Sequence, residues 1–333
     1  MNLATWADRA LDRTVVLGYG TPGYHLRRRL PGWPEDGGRM DGRVVLVTGA
    51  ASGIGLEAAV GFARLGASVR VLGRNPERAD DAARRVREHV GSAAGGPAEA
   101  DVRPVACDIS SLAQLRSFTE QFLRDEARLD VLVNNAGVMP DRRTYSVDGV
   151  ELTFATHVLA PWVLTEALLP VLRAAAPSRV LNVTSGGQYG QRLPAGDPES
   201  ADTRYTPKKI YARTKRAQVV LTQQWAERLR DAGVHVHAVH PGWADTPGVR
   251  NWMPVFRTLT RPVIRTPAQG ADTVVWLGHA PEAVRTTGLL WHDRRPRPAT
   301  YALGARPDGA AARRELWDYV SRLAAAPTPP TTK

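Results

Sequence analysis

The chain has 333 residues, of which 43% are hydrophobic and 23% are charged, so it can bury a substantial core and is unlike a disordered protein. Lysine and arginine outnumber aspartate and glutamate by 44 to 33, and the net charge of +11 attracts anions such as nucleotide phosphates. The basic residues are scattered rather than interleaved with aromatic residues along one element. We therefore expect a solvated cationic surface and no nucleic-acid partner.

The single cysteine, Cys107, excludes an intrachain disulfide and favours a reducing compartment. The first residues carry charges where a signal peptide would need an apolar run, and no segment approaches the ~18 apolar residues of a membrane span. The sequence therefore predicts a cytoplasmic protein, with peripheral membrane contact left open. No metal site is predicted.

Short apolar strands alternate with helical segments from residue 43 onward. The predicted strands are residues 44–47, 68–72, 102–107, 131–133, 179–183 and 234–239, and the clearest helical segments are 56–65 and 77–90. This alternation predicts an α/β fold in which helices cover both faces of a parallel sheet. The expected architecture is a single, doubly wound, three-layer αβα domain.

Segments outside this alternation define the expected domain organisation. We predict an N-terminal arm over residues 1–42, a catalytic domain over 43–300, and a C-terminal helix with a disordered tail over 301–333, the tail itself being 327–333. Residues 91–101 are predicted to form a flexible surface loop. The block 243–300, rich in Pro and Trp, is expected to fold over one end of the sheet.

A glycine-rich turn, TGAASGIG, lies between the first strand and the helix after it. Glycine lets the backbone approach a pyrophosphate closely, and the helix N-terminus offers free N–H groups and the positive end of its dipole. The strand–turn–helix context is the one that a dinucleotide-binding loop requires. The candidate cofactor-binding residues here are Thr48, Gly49, Ser52, Gly53, Ile54 and Gly55.

The end of the second strand indicates which dinucleotide binds. A carboxylate about 20 residues beyond the glycine loop usually holds the ribose hydroxyl of NAD, whereas an arginine accommodates the 2′-phosphate of NADP. Here Gly73 stands where the acid would be, and Arg74 follows it. We therefore expect NADP(H) to be preferred, with NAD(H) possible; the alternative for Arg74 is a surface cation at a helix start. Asp108 is placed to accept from the adenine amino group or to cap the following helix.

Four further segments complete a family pattern. They are Asn134-Asn135-Ala136-Gly137 after the fourth strand, Ser185 after the fifth, Tyr211-Ala-Arg-Thr-Lys215 on a helix, and Pro241-Gly242 after the sixth. With the glycine loop, these segments resemble the short-chain dehydrogenase/reductase family over residues 43–292. The resemblance implies a Rossmann fold and an NAD(P)-dependent oxidoreductase acting on alcohol or carbonyl groups. It also implies cofactor contacts from Asn135, Ala136, Gly137, Tyr211, Lys215, Pro241, Gly242 and Thr246.

The residue chemistry agrees with the resemblance. Residues four apart on a helix share a face, so Tyr211 and Lys215 can point into one cleft. A free phenol has a pKa near 10, and we expect the Lys215 ammonium and the oxidised nicotinamide to lower the pKa of Tyr211 so that it can act as general acid/base. Ser185 would hydrogen-bond the substrate oxygen where charge develops. The alternative is an amphipathic helix tyrosine without a catalytic role.

His157 stands where many family members have an asparagine that holds a water next to the catalytic lysine. An imidazole can also carry protons, because its pKa lies near neutrality. One hypothesis is that His157 retains this proton relay and is catalytic; the other is that it is a packed helix residue.

Two segments of the sequence, 186–210 and 243–265, are expected to lie beside the substrate. Ser185 and Tyr211 are farther apart than is common in the family, and residues 186–210 between them are expected to form a loop lining the substrate side. Residues 243–265 include Trp243, Trp252, Met253, Pro254, Val255 and Phe256. These side chains favour an apolar carbonyl or alcohol, although they could simply be core.

The arm combines Tyr19, Tyr24 and Trp33 with the cluster Arg27–Arg29, a mixture that suits a membrane interface. We favour the other reading, in which the arm packs on its own domain and buries these aromatics, because Gly and Pro interrupt any long amphipathic helix. A cofactor-binding regulatory protein without turnover and a peripheral membrane-associated binding protein remain alternative functions. Homo-oligomers are possible, although the arm or the 243–300 block could cover the helices through which relatives associate.

Overall fold

The computed structural model describes residues 3–35, 37–91, 100–301 and 304–326. Most of the predicted surface loop 91–101 and all of the predicted tail 327–333 lie outside these residues. Within the described part of the chain, no helix is both long enough and apolar enough to cross a membrane.

The described residues form one eight-stranded sheet with the strand order β3-β2-β1-β4-β5-β6-β7-β8. Neighbouring strands are parallel except for β8, which runs antiparallel to β7. The strands are β1 Val44–Thr48, β2 Ser68–Gly73, β3 Val102–Ala106, β4 Val131–Asn134, β5 Ser178–Val183, β6 Val234–Val239, β7 Leu290–His292 and β8 Arg295–Arg297. This confirms the doubly wound parallel sheet. The strand order reverses between β1 and β4, which opens a crevice at the carboxyl ends of those strands.

Helices cover both faces of the sheet, as the three-layer prediction requires. They are α1 Leu3–Arg13, α2 Val15–Tyr19, α3 Thr21–Arg29, α4 Gly53–Arg64, α5 Pro76–Gly91, α6 Leu112–Asp125, α7 Leu152–Phe154, α8 Ala160–Ala167, α9 Leu169–Ala174, α10 Pro207–Arg228, α11 Pro247–Trp252, α12 Pro254–Thr260, α13 Pro267–His279, α14 Glu282–Arg285 and α15 Ala310–Ala325. A π-helical turn, Ala155–Leu159, joins α7 to α8, and two 3-10 turns span Gly186–Gly190 and Arg230–Ala232.

Two hydrophobic layers separate the sheet from its helices. One layer contains Phe62 of α4, Val86 of α5 and Leu277 of α13. The other is formed mainly by α6, α8, α10 and α15, through residues such as Trp162 and Leu316. Helix α10, which carries Tyr211 and Lys215, therefore lies between the sheet and the C-terminal helix.

The N-terminal arm folds as three short helices that are packed into the domain. Tyr19 and Tyr24 are buried, and Trp33 is half-buried against Tyr24 with ring centroids 5.9 Å apart. Arg27 is fully buried, so it does not belong to a surface cluster with Arg28 and Arg29. The reading in which the arm packs on its own domain is the one that these contacts support.

The block 243–300 does not fold over one end of the sheet as a unit, so that prediction is wrong in part. Of the described helices in this block, only α11 lines the crevice. Helix α13 packs on α4 in the apolar layer, and β7 and β8 extend the sheet beyond β6. The two strands escaped prediction because each has only three residues and Asp293 and Arg294 separate them.

Candidate active site

A cavity of about 400 Å³ lies at the crevice between the start of α4, the end of β2 and helix α10. Most of the predicted cofactor-binding residues line it. They are Gly49, Ser52, Gly53, Ile54, Arg74, Asp108, Asn135, Ala136, Gly137, Tyr211, Lys215, Pro241 and Thr246. One elongated cavity therefore joins the glycine loop to the predicted catalytic tyrosine.

The glycine loop has the geometry that a pyrophosphate needs. Gly53 adopts a φ of +58°, in the left-handed region that favours glycine. A side chain at Gly55 would collide with the Asn135 amide and the Gly49 carbonyl. Helix α4 begins here, and its N-cap residue Ser52 makes no side-chain capping bond, so the first N–H groups face the cavity without a protein cap. These residues fit a dinucleotide pyrophosphate.

Three predicted cofactor-binding residues lie behind the cavity wall instead of lining it: Thr48, Gly55 and Gly242. The Thr48 hydroxyl accepts hydrogen bonds from the N–H groups of Asn135 and Ala136, at 3.0 and 3.1 Å, and donates to the Val133 carbonyl. Its role in the described structure is to fix the loop after β4. Gly55 and Gly242 permit close packing behind the wall.

The far end of the cavity carries two arginines. Arg74 and Arg78 both line it, and Arg78 was missed by sequence reasoning because it lies four positions farther along, within α5. No acid could replace Gly73, because a Cβ there would lie 2.6 Å from the backbone nitrogen of Ala79. The tight packing of α5 against β2 thus removes the carboxylate that would hold an NAD ribose.

Asp108 also lines this end of the cavity. Its Oδ1 accepts from the Ser110 N–H at 3.0 Å and from the Ser110 hydroxyl at 2.7 Å. The residue that caps α6 is Ser111, which accepts from Gln114. The capping alternative for Asp108 is therefore wrong, and its position agrees with the adenine interpretation.

The catalytic candidates meet at the other end. The Ser185 hydroxyl lies close enough to the phenol of Tyr211 to lower its pKa, and it accepts from the Gly187 N–H at 3.4 Å. The Lys215 ammonium lies 5.6 Å from the Tyr211 ring centroid and donates to the Val183 carbonyl at 2.8 Å. The Lys215 carbonyl in turn accepts from Thr184. Strand β5 and helix α10 thus hold the three residues against one another.

The pKa of Tyr211 departs from the expected direction. Burial raises it to about 12, and the nearby Ser185 hydroxyl opposes only part of that rise. Burial also lowers the pKa of Lys215 to about 7, so its positive charge is only partly present at neutral pH. Desolvation affects both groups, so in the protein alone the pKa of Tyr211 is raised; the expected lowering by Lys215 together with the oxidised nicotinamide stays a prediction.

His157 is buried within the π-helical turn and packs edge-on against Tyr211, with ring centroids 5.2 Å apart. Its Nε2 accepts from the Val138 N–H at 3.0 Å, and its Nδ1 lies 2.8 Å from the Thr214 hydroxyl. That hydroxyl donates to the Tyr211 carbonyl, so Nδ1 must carry the hydrogen. Burial, and then Lys215, hold the pKa of His157 well below its ordinary value. Both ring nitrogens are occupied, which supports the packed-helix reading over the relay.

Thr246 lies where its predicted role requires. It lines the cavity beside Gly53 and caps α11, its hydroxyl oxygen accepting from the Val249 N–H at 3.2 Å. The hydroxyl hydrogen is left for an acceptor in the cavity. Pro241 lines the same wall.

The substrate-side prediction holds for few residues. Among the apolar side chains of 243–265, Trp252 lines the cavity, whereas Val255 is 71% exposed and Trp243 packs on Phe256. The loop 186–210 turns toward the C-terminal region: the N–H groups of Leu193 and Gly196 donate to Asp308 and Glu315. These positions depend on contacts with distant segments, which local sequence patterns do not record.

Comparisons with known proteins agree with this geometry. A family model described as short chain dehydrogenase matches residues 43–254. The chain is 38% identical over 287 residues to dehydrogenase/reductase SDR family member 12 of Bos taurus, across 86% of this chain and 87% of that relative. It is 35% identical over 293 residues to retinol dehydrogenase 14 of Mus musculus, across 85% and 86% of the two chains.

A solved structure, the Pseudomonas aeruginosa RhlG/NADP active-site complex, resembles the chain with a TM-score of 0.61. The two sequences are 26% identical, and the match covers 76% of this chain and 94% of the other. The fold and the sequence thus point to the same family as the site.

Proposed function

The chain belongs to the short-chain dehydrogenase/reductase family and is an NAD(P)-dependent oxidoreductase, and we propose that it uses NADP(H) to interconvert an apolar carbonyl compound and its alcohol. Tyr211 is the general acid/base in this proposal, and Ser185 and Lys215 assist it. The observation that carries the proposal is a single cavity with Tyr211 and Lys215 at one end and Arg74 and Arg78 at the other.

The proposed chemistry divides between the cofactor and the chain. The bound nicotinamide supplies or accepts the hydride. Tyr211 and Ser185 hold the substrate oxygen, and with a pKa near 12 Tyr211 keeps its proton at neutral pH, the form needed to protonate a carbonyl oxygen during reduction. Lys215 adds positive charge beside the phenol when it is protonated, which stabilises the phenolate left after the transfer.

Two features support the preference for NADP(H). Arg74 and Arg78 form no ion pair with the described residues, so both guanidinium groups are available for a 2′-phosphate. Position 73 has no room for a competing carboxylate. The apolar substrate class is supported by Trp252 and Ile109 in the cavity wall, and by the name of the retinol dehydrogenase relative.

The reaction is tested by NADPH consumption with a panel of apolar aldehydes and ketones. Tyr211→Phe keeps the ring and removes the acidic hydroxyl, so we expect kcat to fall about 10²- to 10⁴-fold. Cofactor binding should persist. It can be followed separately from turnover by nicotinamide fluorescence. An NADPH-dependent activity that survives this substitution would overturn the mechanism.

The cofactor preference is tested with Arg74→Ala and Arg78→Ala. Each should raise the KM for NADPH about 10-fold, because one charge-assisted hydrogen bond is lost. The KM for NADH should be unchanged. Arg84→Ala is the matched control, because Arg84 lies on the same helix, is exposed and pairs with Asp81 and Glu88. Equal effects on NADPH and NADH would contradict the 2′-phosphate assignment.

We also propose weak peripheral membrane contact through the arm as a subsidiary property. Trp6 is 60% exposed, Val16 and Leu17 are exposed, and Arg28 and Arg29 lie on the surface of α3. Liposome flotation of the wild type and of an Arg28→Gln, Arg29→Gln variant tests it, and Arg27 must be spared because it is buried. If neither protein floats with the liposomes, the proposed membrane contact is wrong.

A cofactor-binding regulator without turnover is disfavoured, because Tyr211 and Lys215 are both in place.

A further inference from the structure

We propose that Tyr19, in the N-terminal arm, is a positioning residue of the active site: its ring fixes His240, and His240 fixes the Pro241–Gly242 turn and Gly186 beside Ser185. The proposal rests on the function proposed above in one respect: the two backbone segments matter for catalysis only if that function is correct. The geometry itself is independent of the reaction.

His240 connects two segments of the active-site wall. It follows β6 directly, and its Nδ1 accepts a hydrogen bond from the Gly242 N–H at 2.8 Å, so the imidazole closes the turn that carries Pro241. The opposite edge of the ring lies against Gly186, where a Cβ would be 2.6 Å from Nε2. One imidazole therefore separates the turn beside the cavity from the residue after Ser185.

Hydrogen bonding holds His240 at only one edge. Because Nδ1 accepts from Gly242, Nε2 carries the hydrogen, and this buried nitrogen has no hydrogen-bond partner among the described residues. The orientation of the ring must then come from packing. A small rotation of the ring would move the Gly242 N–H with it.

Tyr19 supplies the nearest of the three rings that pack on His240, the others being His292 and Tyr189. The Tyr19 ring stacks on the imidazole, with centroids 4.6 Å apart and planes inclined by 26°. The backbone of Tyr19 contacts the same turn, because its carbonyl accepts the Trp243 N–H at 2.9 Å. The arm thus touches residues on both sides of Gly242.

A buried ion-pair cluster prevents Tyr19 from shifting. Arg27 and Arg265 each lie 2.6 Å from an oxygen of Asp293, and these three side chains are almost fully buried. Arg265 also donates to the Gly20 carbonyl at 3.2 Å, and its Nε lies against Gly242, 2.6 Å from where a Cβ would be. The arm backbone on either side of Tyr19 is therefore tied to the core at the turn itself.

The test compares Tyr19→Leu, which fills the space without a ring, with Tyr19→Phe, which keeps the stacking. Trp33→Ala is the arm control, because Trp33 packs on Tyr24 and Arg294, away from His240. We expect Tyr19→Leu to lower kcat about 10- to 100-fold through misplacement of the turn, with little change in the KM for NADPH. Tyr19→Phe should restore kcat, and Trp33→Ala should lower the Tm and leave kcat unchanged.

A second readout does not require turnover. The imidazole protons of His240 should show a ring-current shift in NMR spectra that is present in the wild type and in Tyr19→Phe, and lost in Tyr19→Leu. If the wild type consumes no NADPH, the proposed function fails, and this shift still tests the stacking. The positioning role would be overturned by any of three results. Tyr19→Leu could keep the kcat of the wild type, Tyr19→Leu and Tyr19→Phe could lose kcat equally, or Trp33→Ala could lose as much kcat as Tyr19→Leu.

Discussion

Lys215 lies where burial opposes its charge. Burial lowers the pKa of Lys215 from 10.5 to about 7, so between these values the unfolded chain binds a proton that the folded protein does not. The stability of the wild type should therefore rise, relative to Lys215→Met, from pH 7 to pH 10. The free energy of unfolding should rise with a limiting slope of about 1.4 kcal/mol per pH unit. Urea unfolding at several pH values measures it.

Lys209→Met provides the matched control, because Lys209 is exposed on the same helix. Its stability difference from the wild type should not vary with pH in this window. A constant difference for Lys215→Met would show that the ammonium is not desolvated.

His157 gives a second prediction at the residue scale. Asparagine can accept from the Val138 N–H and donate to Thr214, so His157→Asn should keep the pH profile of the wild type. His157→Leu leaves the Val138 N–H unpaired and removes one of the two hydrogen bonds of the Thr214 hydroxyl, so it should lose about 1–3 kcal/mol of stability. The measurements are pH–rate profiles and urea unfolding. A displaced acid limb in His157→Asn would instead support a proton relay.

At the scale of elements, helix α1 is joined to the sheet edge by buried charge. Asp8 pairs with Arg27 at 3.1 Å and with Arg297 of β8 at 2.8 Å. Asp8→Ala would leave two buried cations without this partner, and we expect a loss of about 3–5 kcal/mol. Asp41→Ala removes an exposed pair with Arg39 and should barely change the unfolding midpoint. Similar midpoints for the two variants would contradict the role of this cluster.

Sequence reasoning found the elements whose signals are local. Strands β1 to β6 are runs of β-branched and apolar residues, and the predicted bounds differ from the structure by about one residue at either end. The glycine loop and the Tyr211–Lys215 spacing are equally local, and most of the predicted cofactor-binding residues line one cavity.

The arm was not predictable in the same way. Asp8 and Arg297 are far apart in the chain, and no periodicity marks such a pair. Arg27 was grouped with its exposed neighbours because three consecutive arginines suggest a solvated surface, whereas a helix turns one of them inward. The raised pKa of Tyr211 likewise depends on burial, which the motif alone does not specify.

For the whole molecule, the C-terminal helix α15 covers an apolar face formed by α8 and α10. Trp317 packs on Trp162 of α8 and Trp225 of α10, and the Arg228 guanidinium lies 3.6 Å from the Trp317 ring centroid. The full chain should therefore not associate through this face. A chain ending at residue 307 would expose both tryptophans and should associate, as light scattering would show.

Trp317→Ala is the milder comparison for that truncation, because it removes one ring and keeps the helix. It should lower the Tm without changing the molecular mass in solution. A truncated chain that stays monomeric and folded would mean that α15 does not protect this face.

The arm also constrains the order in which a newly made chain can become active. Tyr19 and Arg27 leave the ribosome early, yet Asp293 and Arg297 emerge about 270 residues later. Strands β1 to β6 can pair during synthesis, whereas Arg27 and Asp8 of the arm lack their partners Asp293 and Arg297 until β7 and β8 exist. Closure of this long loop should thus be a late event in biosynthesis, and competence for turnover should appear only with it.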